Sequence, residues 1–299
     1  MAKISVVINT LNEEKNIERA MKSVNWAGEI VVCDMYSEDN TVEIAKKLGA
    51  KICFHKKTNY VEPARNFAIS KATGDWILVL DADEEIPDSL SKRLQEIAEK
   101  MHQINFVEIP RKNLIFGKWM KASMWWPDLN IRFFKKGTII WSDKIHIPPK
   151  TQGEGIKLEA KEDWAIIHHN YDNLSQYIDR MNRYSTIQAR EIVNNGYKFQ
   201  WPDLVQKPLS EFLSRYFASR GFEDGLHGLA LAMLQAFSNI VIYLKVWEAE
   251  KFKEQEINLD EIKNEARLGG QQLNYWFKYG DLSKNPFKRF AQKVKNRLS

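Results

Sequence analysis

Apolar positions in the first hundred residues fall into short runs separated by longer amphipathic stretches. Ile4 to Ile8 is a β-branched run of the kind a buried strand needs. After Thr10-Leu11-Asn12, residues Ile17, Ala20, Met21 and Val24 share one helical face, and Asn12 followed by Glu13 and Glu14 predicts a helix N-cap with acidic residues in the first turn. Glu29 to Cys33 predicts a second strand, MYSEDN a loop, and Thr41 to Leu48 a helix stopped by Gly49. The unit then repeats. Lys51 to His55 predicts a strand, Pro63 to Lys71 a helix, and Trp76 to Leu80 a strand that runs into Asp81-Ala82-Asp83-Glu84-Glu85, after which Pro87 opens a helix to Lys100.

This alternation predicts a Rossmann-like α/β sheet, parallel at first and flanked by helices, whose ligands bind at the carboxyl ends of the strands. From residue 104 the pattern changes. Asn105 to Pro110, Asn130 to Phe134 and Thr138 to Trp141 look like strands around the loop KWMKASMWWPD, so the sheet is expected to become mixed. From Leu174 the chain reads as helices over 174–195, 208–220, 226–253 and 258–278. The expected organisation is therefore an α/β domain over 1–172 and a helical region over 173–299 that associates with an acceptor or a membrane.

Composition narrows the class. The chain has 299 residues, 44% hydrophobic and 28% charged, which excludes a disordered, collagen-like or all-transmembrane protein. A net charge of +5 permits an anionic partner without requiring one. Cys33 and Cys53 have no CxxC spacing, so neither a disulfide framework nor a cysteine metal site is expected, and a reducing, cytoplasmic setting fits. The N-terminus carries no signal-peptide pattern. Leu226 to Trp247 is apolar on several faces but interrupted by His227, Gln235, Ser238, Asn239 and Lys245, which predicts a packed or interfacial helix rather than a clean membrane span. The tail KNPFKRFAQKVKNRLS sets Phe287, Phe290 and Val294 among Lys and Arg, a pattern suited to an anionic membrane surface and equally to a solubilising end.

The first loop, NTLNEEKN, has no glycine where a dinucleotide-binding turn needs one, and GxxxxGK[ST] is absent. Phosphate must be held otherwise. Asp81 and Asp83 follow the buried run WILVL, and two carboxylates at i, i+2 after a strand are hard oxygen ligands for Mg²⁺ or Mn²⁺ bridging a diphosphate. The alternative is an acidic helix entry in which Glu84, Glu85 and Asp88 are simply solvated.

The blocks ISVVINTLNEEKNI, IVVCDMYSEDNTVEIAKKLGA and ARNFAISKATGDWILVLDADE, in this order and spacing, resemble family 2 glycosyltransferases of the GT-A nucleotide-sugar fold. PRKNLIFGKW, WWPDLNIRFFKKG, IHHNY and GFEDGLHGL are similar to the bacterial branch that includes lipopolysaccharide-core β-glucosyltransferases. The resemblance covers residues 3–250 and is weakest over 142–162. It implies an inverting transfer of a hexose from a nucleotide sugar, usually UDP-linked, to a cell-envelope glycan or lipid-linked acceptor at the inner face of the cytoplasmic membrane, with a divalent metal and no nucleic-acid partner.

The same resemblance implies roles. Asp34, beside Thr10 and Asn12, would meet the base. Arg65 would reach base or phosphates, unless it is only a helix-surface ion pair. Asp81 would contact ribose or sugar, Asp83 would bind metal, and His168 would be a further metal ligand, with His146 a weaker one because Ile147 departs from the family pattern. Met35-Tyr36 also departs, being bulky where the family has small residues. Asp128 would be the base that deprotonates the acceptor, with Trp125, Trp126 and Arg132 around the acceptor and the aromatics raising the pKa of Asp128; the alternative is an Asp capping a turn after Pro127. Two rival functions share parts of this plan. A sugar-1-phosphate nucleotidyltransferase would carry a glycine-rich, Lys/Arg-bearing first loop, which is missing, and a nucleic-acid or membrane-binding scaffold without turnover has no need of Asp34, Arg65, Asp81 and Asp83 together.

Overall fold

The computed structural model describes residues 2–58, 61–142 and 148–279, with 290 and 292 beyond them. The first strands and helices alternate as β1 (Ile4–Thr10), α1 (Ile17–Ser23), β2 (Glu29–Asp34), α2 (Thr41–Lys47), β3 (Lys51–Phe54), α3 (Glu62–Lys71) and β4 (Trp76–Asp81). After them come β5 (Glu84–Glu85), α4 (Asp88–Lys100), β6 (Ile104–Ile109), β7 (Arg111–Ile115), β8 (Lys118–Trp119), β9 (Asn130–Lys135), β10 (Ile139–Ile140), β11 (Lys150–Thr151), β12 (Glu154–Lys157) and β13 (Ile166–Tyr171). The helices α5 (Leu174–Asn194), α6 (Asp203–Leu213), α7 (Gly225–Ala249) and α8 (Leu259–Tyr279) follow among the described residues.

The main sheet has the order β12-β6-β9-β4-β1-β2-β3. Strands β3, β2, β1 and β4 are parallel, β9 joins β4 antiparallel, and β6 joins β9 antiparallel, which is the mixed sheet expected from the change of pattern at residue 104. β1 is buried along its whole length, because helices cover both faces. Val6, Ile8, Val32, Leu78 and Leu80 pack on one face with Ile17, Met21, Leu90, Leu94 and Ile97 of α1 and α4. Val7, Val31, Cys33, Ile77 and Val79 pack on the other with Ala68 and Ile69 of α3. Because β1, β2 and β4 run the same way in register, Thr10 pairs with Asp34 and Asn9 with Asp81, and the polar strand tips gather at one edge.

The chain forms two compact units, one of residues 1–114 and 126–170, the other of 115–125 and 171–299. In the second unit Tyr177 and Met181 of α5, Leu231 of α7, Ile115 and Met120 make one cluster, and Ala189, Phe199 and Val246 another. Asp224 accepts from the backbone N–H groups of Lys121 and Ala122, at 3.1 and 2.8 Å, and so holds the 115–125 segment to the start of α7.

Two local expectations differ from the structure. Asn12 does not cap α1, which starts at Ile17 after a turn in which the Asn16 and Ile17 N–H groups both bond to Glu13 O. Asn12 instead sits at φ 56°, a conformation Asn tolerates better than most residues. The helix expected to begin at Pro208 begins at Asp203 and carries Pro208 inside it. His146, and the basic tail apart from positions 290 and 292, lie outside the described residues.

Candidate active site

The edge formed by the ends of β1, β2 and β4 carries two polar constellations. The first belongs to Asp34. Its carboxylate is fully buried and accepts from Thr10 Oγ1 at 2.9 Å, Ser37 N at 2.8 Å and Ser37 Oγ at 2.5 Å. Asn12 locks the same loop, donating its N–H to Ser37 Oγ and accepting from Glu38 N, both at 2.8 Å. Thr10, Asn12 and Asp34 are thus together, as expected, and the Asp34 carboxylate already accepts three hydrogen bonds from the chain itself. Of the bulky pair after Asp34, Met35 is buried, whereas Tyr36, at φ 63° and 63% exposed, stacks on Phe54 with centroids 5.4 Å apart.

The second constellation is a continuous chain of charged and amide groups. Arg65 Nη2 lies 3.0 Å from Asp81 Oδ1, and Arg132 Nη2 lies 2.6 Å from Asp81 Oδ2 and 3.0 Å from Glu84 Oε1. Arg111 continues it, with Nη1 3.2 Å from Glu84 Oε1 and Nε 2.8 Å from Asp128 Oδ2. Asn113 Nδ2 donates to Asp128 Oδ2 at 2.9 Å, and its Oδ1 stands 2.6 Å from His168 Nδ1. His168 Nε2 ends the chain 3.5 Å from Asp83 Oδ2. Strand pairing makes this possible: β13 lies antiparallel to β5 with His168 opposite Glu84, which carries the imidazole to the acidic turn after β4.

The electrostatics follow from these partners. Burial alone would raise the Asp81 carboxyl, but the charges of Arg132 and Arg65 outweigh it and hold the group far below the usual carboxylate range. Burial likewise pushes Asp128 up, yet Arg111 and the hydrogen bonds from Asn113, Arg111 and Asn130 leave it lowered. The drier, pKa-raising setting expected for Asp128 is therefore corrected. The aromatic neighbours are outweighed by an adjacent guanidinium.

Asn113 also fixes the imidazole. Its Nδ2 faces a carboxylate, which only accepts, so its Oδ1 faces His168 and the His168 Nδ1–H donates to it. In the neutral ring the Nε2 lone pair then points at the Asp83 carboxylate, the arrangement that second-shell amides impose on metal-binding histidines. Asp83 and His168 accordingly fit a divalent cation as a two-residue ligand pair. Among the described residues no group of three or more His, Cys, Asp or Glu side chains is placed to hold an ion.

Other expected residues sit elsewhere. Arg132 is 4% exposed and bound to Asp81 and Glu84, so it supports the acidic turn from beneath instead of lining an acceptor surface. Trp125 belongs to the second unit and packs on the cluster of Tyr177, Met181 and Leu231, whereas Trp126 begins the first-unit stretch that leads to Asp128. Arg65 is buried, 5.8 Å from the Trp141 ring, and is not a surface ion pair. Glu84, Arg111 and Asn113 were not singled out from the sequence. The available signal was polar residues at alternate positions in RKNLI, which as a strand puts Arg111 and Asn113 on one face.

These geometries meet a clear relationship. The Glycosyl transferase family 2 model matches residues 5–152. An uncharacterized glycosyltransferase of Rickettsia typhi is 31% identical over 83% of this chain and 88% of its own length. The chain belongs to glycosyltransferase family 2. The lipopolysaccharide core biosynthesis glycosyltransferase LpsC of Rhizobium meliloti is similar at 25% identity, over 84% of this chain and 94% of that protein. Among solved structures, glucosyl-3-phosphoglycerate synthase from Mycobacterium tuberculosis in complex with Mn²⁺, UDP and glucosyl-3-phosphoglycerate aligns at TM-score 0.31 and 23% identity. That alignment covers 39% of this chain and 45% of the other, too partial for its ligands to bear on this protein.

Proposed function

We propose that the chain is an inverting hexosyltransferase that takes its sugar from a nucleotide donor, UDP-linked, and passes it to a cell-envelope glycan or a lipid-linked acceptor. The observation that carries this is the unbroken run of contacts from Asp81 to Asp83, because it joins a two-ligand pair to a fixed carboxylate, Asp128, within one unit. The similarity to LpsC supports an acceptor in the lipopolysaccharide core. Asp128 accepts the proton of the acceptor hydroxyl as that oxygen attacks the anomeric carbon. Arg111 and Asn113 keep the carboxylate ionised and aimed. Asp83 and His168 hold the metal, Mn²⁺ suiting a mixed oxygen and imidazole pair better than Mg²⁺, and the bound ion would neutralise the departing diphosphate. Arg65 and Asp81 orient the donor, Asp34 shapes the loop that meets the nucleotide, and Tyr36 on Phe54 offers the base a flat face. Trp126 borders the acceptor, and the basic tail adds contact with an anionic membrane.

A panel of UDP, GDP, dTDP and CMP sugars, each with Mn²⁺ and with chelator, tests this by thermal shift. A ligand at 100 times its Kd that binds only the folded state adds about 2.7 kcal/mol. UDP sugars with Mn²⁺ are expected to stabilise the protein and single-stranded DNA is not. No shift with any nucleotide sugar would contradict the proposal.

A further inference from the structure

The chain holds two cysteines, Cys33 and Cys53, and the sheet sets them side by side as free thiols. Strands β2 and β3 run parallel with Cys33 directly opposite Cys53. Alternation along the strands puts both side chains on the face that α3 covers. Cys33 packs there with Val31, Ala68 and Ile69, and Cys53 and Phe67 pack against the same cluster. Cys33 is wholly buried, whereas Cys53 is half-buried on the strand that ends the sheet. Two lysines stand close to it: Lys51 on β3 donates from Nζ to Lys71 O at 2.8 Å, and Lys71 Nζ lies 4.5 Å over the Phe67 ring. A hydrogen bond from the Cys33 thiol lowers the Cys53 thiol, and Lys71 and Lys51 add to this against the effect of burial. The same bond, with burial, raises Cys33. Cys53 thus has the partial exposure and positive surroundings of a reactive thiol, with a second thiol in contact.

We propose that Cys33 and Cys53 form a redox-active dithiol, which a peroxide closes into a disulfide between β2 and β3 and a thiol reductant reopens. The Cys53 thiolate attacks one oxygen of hydrogen peroxide, the O–O bond breaks, and with one proton from solvent a water leaves, giving the Cys53 sulfenic acid. The Cys33 sulfur then attacks the Cys53 sulfur, the S–O bond breaks, and the hydroxyl departs with the Cys33 proton as a second water. Two thiols are oxidised by two electrons and the peroxide is reduced to water. Neighbouring strands lie about 4.8 Å apart, inside the roughly 4.4–6.8 Å that the Cα atoms of a disulfide span. Side chains that project in parallel keep their Cβ atoms at nearly the same separation, just beyond the roughly 3.5–4.5 Å of a relaxed disulfide, so the closed bond is strained and easily reduced. It would lie directly behind Asp34 and Phe54, the strand ends that carry the Thr10 hydrogen bond and the Tyr36 stack. The transfer chemistry uses neither thiol, so the two readings stand or fall separately.

The test treats the full reduced chain with hydrogen peroxide, then alkylates the remaining thiols in denaturant and reads the intact mass. Wild type is expected to lose both alkylatable thiols, to become lighter by two hydrogens while staying monomeric on a non-reducing gel, and to recover both thiols with dithiothreitol. That arm needs no variant. In Cys33→Ala the sulfenic acid has no partner, so Cys53 should instead be trapped by dimedone. In Cys53→Ala the buried Cys33 should oxidise at least about tenfold more slowly than Cys53 does in wild type. Two intact thiols in peroxide-treated wild type overturn the proposal. So do a disulfide that joins two chains, sulfinic acid in wild type without the mass of the disulfide, and oxidation of Cys53→Ala at the wild-type rate.

Discussion

Asp128→Asn is expected to lower kcat by about 10²–10⁴-fold while donor affinity stays near wild type. The carboxylate is anchored on one side, where Arg111 Nε at 2.8 Å and Asn113 Nδ2 at 2.9 Å both meet Oδ2. Its Oδ1 has only the long contact to Asn130 Nδ2, at 3.2 Å, and 26% of the side chain is open, which leaves that oxygen for an incoming hydroxyl. An amide preserves the size and keeps an oxygen for Arg111, but it cannot take up a proton at neutral pH. The loss is therefore expected in the chemical step and not in nucleotide binding, which the proposed function gives to other residues. Because Arg111 and the hydrogen bonds hold the carboxyl below its ordinary value, this group should impose no acid limb on the pH–rate profile above about pH 4. A proton NMR coupling constant on the product, made from an α-linked donor, should report a β linkage. Wild-type kcat in the variant at saturating substrates would reduce Asp128 to a brace for Arg111.

Arg132→Met is expected to destabilise the first unit by about 3–5 kcal/mol, a fall in Tm of roughly 10 °C. Arg132 is 4% exposed and the Glu84 it faces is fully buried, so the substitution removes a charge and leaves its partners in place. Glu84 keeps Arg111 at 3.2 Å and the backbone N–H of Asp81 at 2.9 Å, and Asp81 keeps Arg65 at 3.0 Å. Methionine nearly fills the arginine stem, which makes the effect one of lost charge more than of lost volume. The sign of the pH dependence is fixed by Asp81. Its folded value is depressed, so the stability it contributes is present above the unfolded value near pH 4 and is lost as pH falls below that. In the variant the depression is smaller, so the acid-unfolding midpoint should move to higher pH. Differential scanning calorimetry across pH measures both, and a Tm within about 2 °C of wild type would contradict the assigned support role.

The parallel half of the sheet was legible because Ile4–Ile8, Glu29–Cys33 and Trp76–Leu80 are short apolar runs bounded by turn residues, and such runs leave their strand tips at one edge. Asp34, Asp81 and Asp83 could therefore be placed after strand ends before any contact was known. The strands still ran further than the apolar runs, since Thr10, Asp34 and Asp81 complete them with polar tips that hydrophobic patterning does not count. The buried role of Glu84 was not legible. Its neutralising partners are Arg111 and Arg132, 27 and 48 residues away, and an acidic run before a proline looks the same whether the helix entry is solvated or buried. The division between Trp125 and Trp126 was hidden for a related reason: adjacent residues joined different units, which no local period records. Asn12 misled because its side chain bonds to the neighbouring loop at Glu38 instead of to the helix that follows it.

On the proposed function, Asp83 and His168 form the ligand pair through which a nucleotide diphosphate is held. Isothermal calorimetry of UDP into the wild-type protein, with Mn²⁺ and with EDTA, and into Asp83→Asn with Mn²⁺, tests it most directly. The expected result is tight binding with Mn²⁺ to the wild type alone, with EDTA and the variant each weakening UDP by at least tenfold, because a neutral amide loses most of the attraction for a hard cation. UDP affinity that is the same in all three titrations would contradict it.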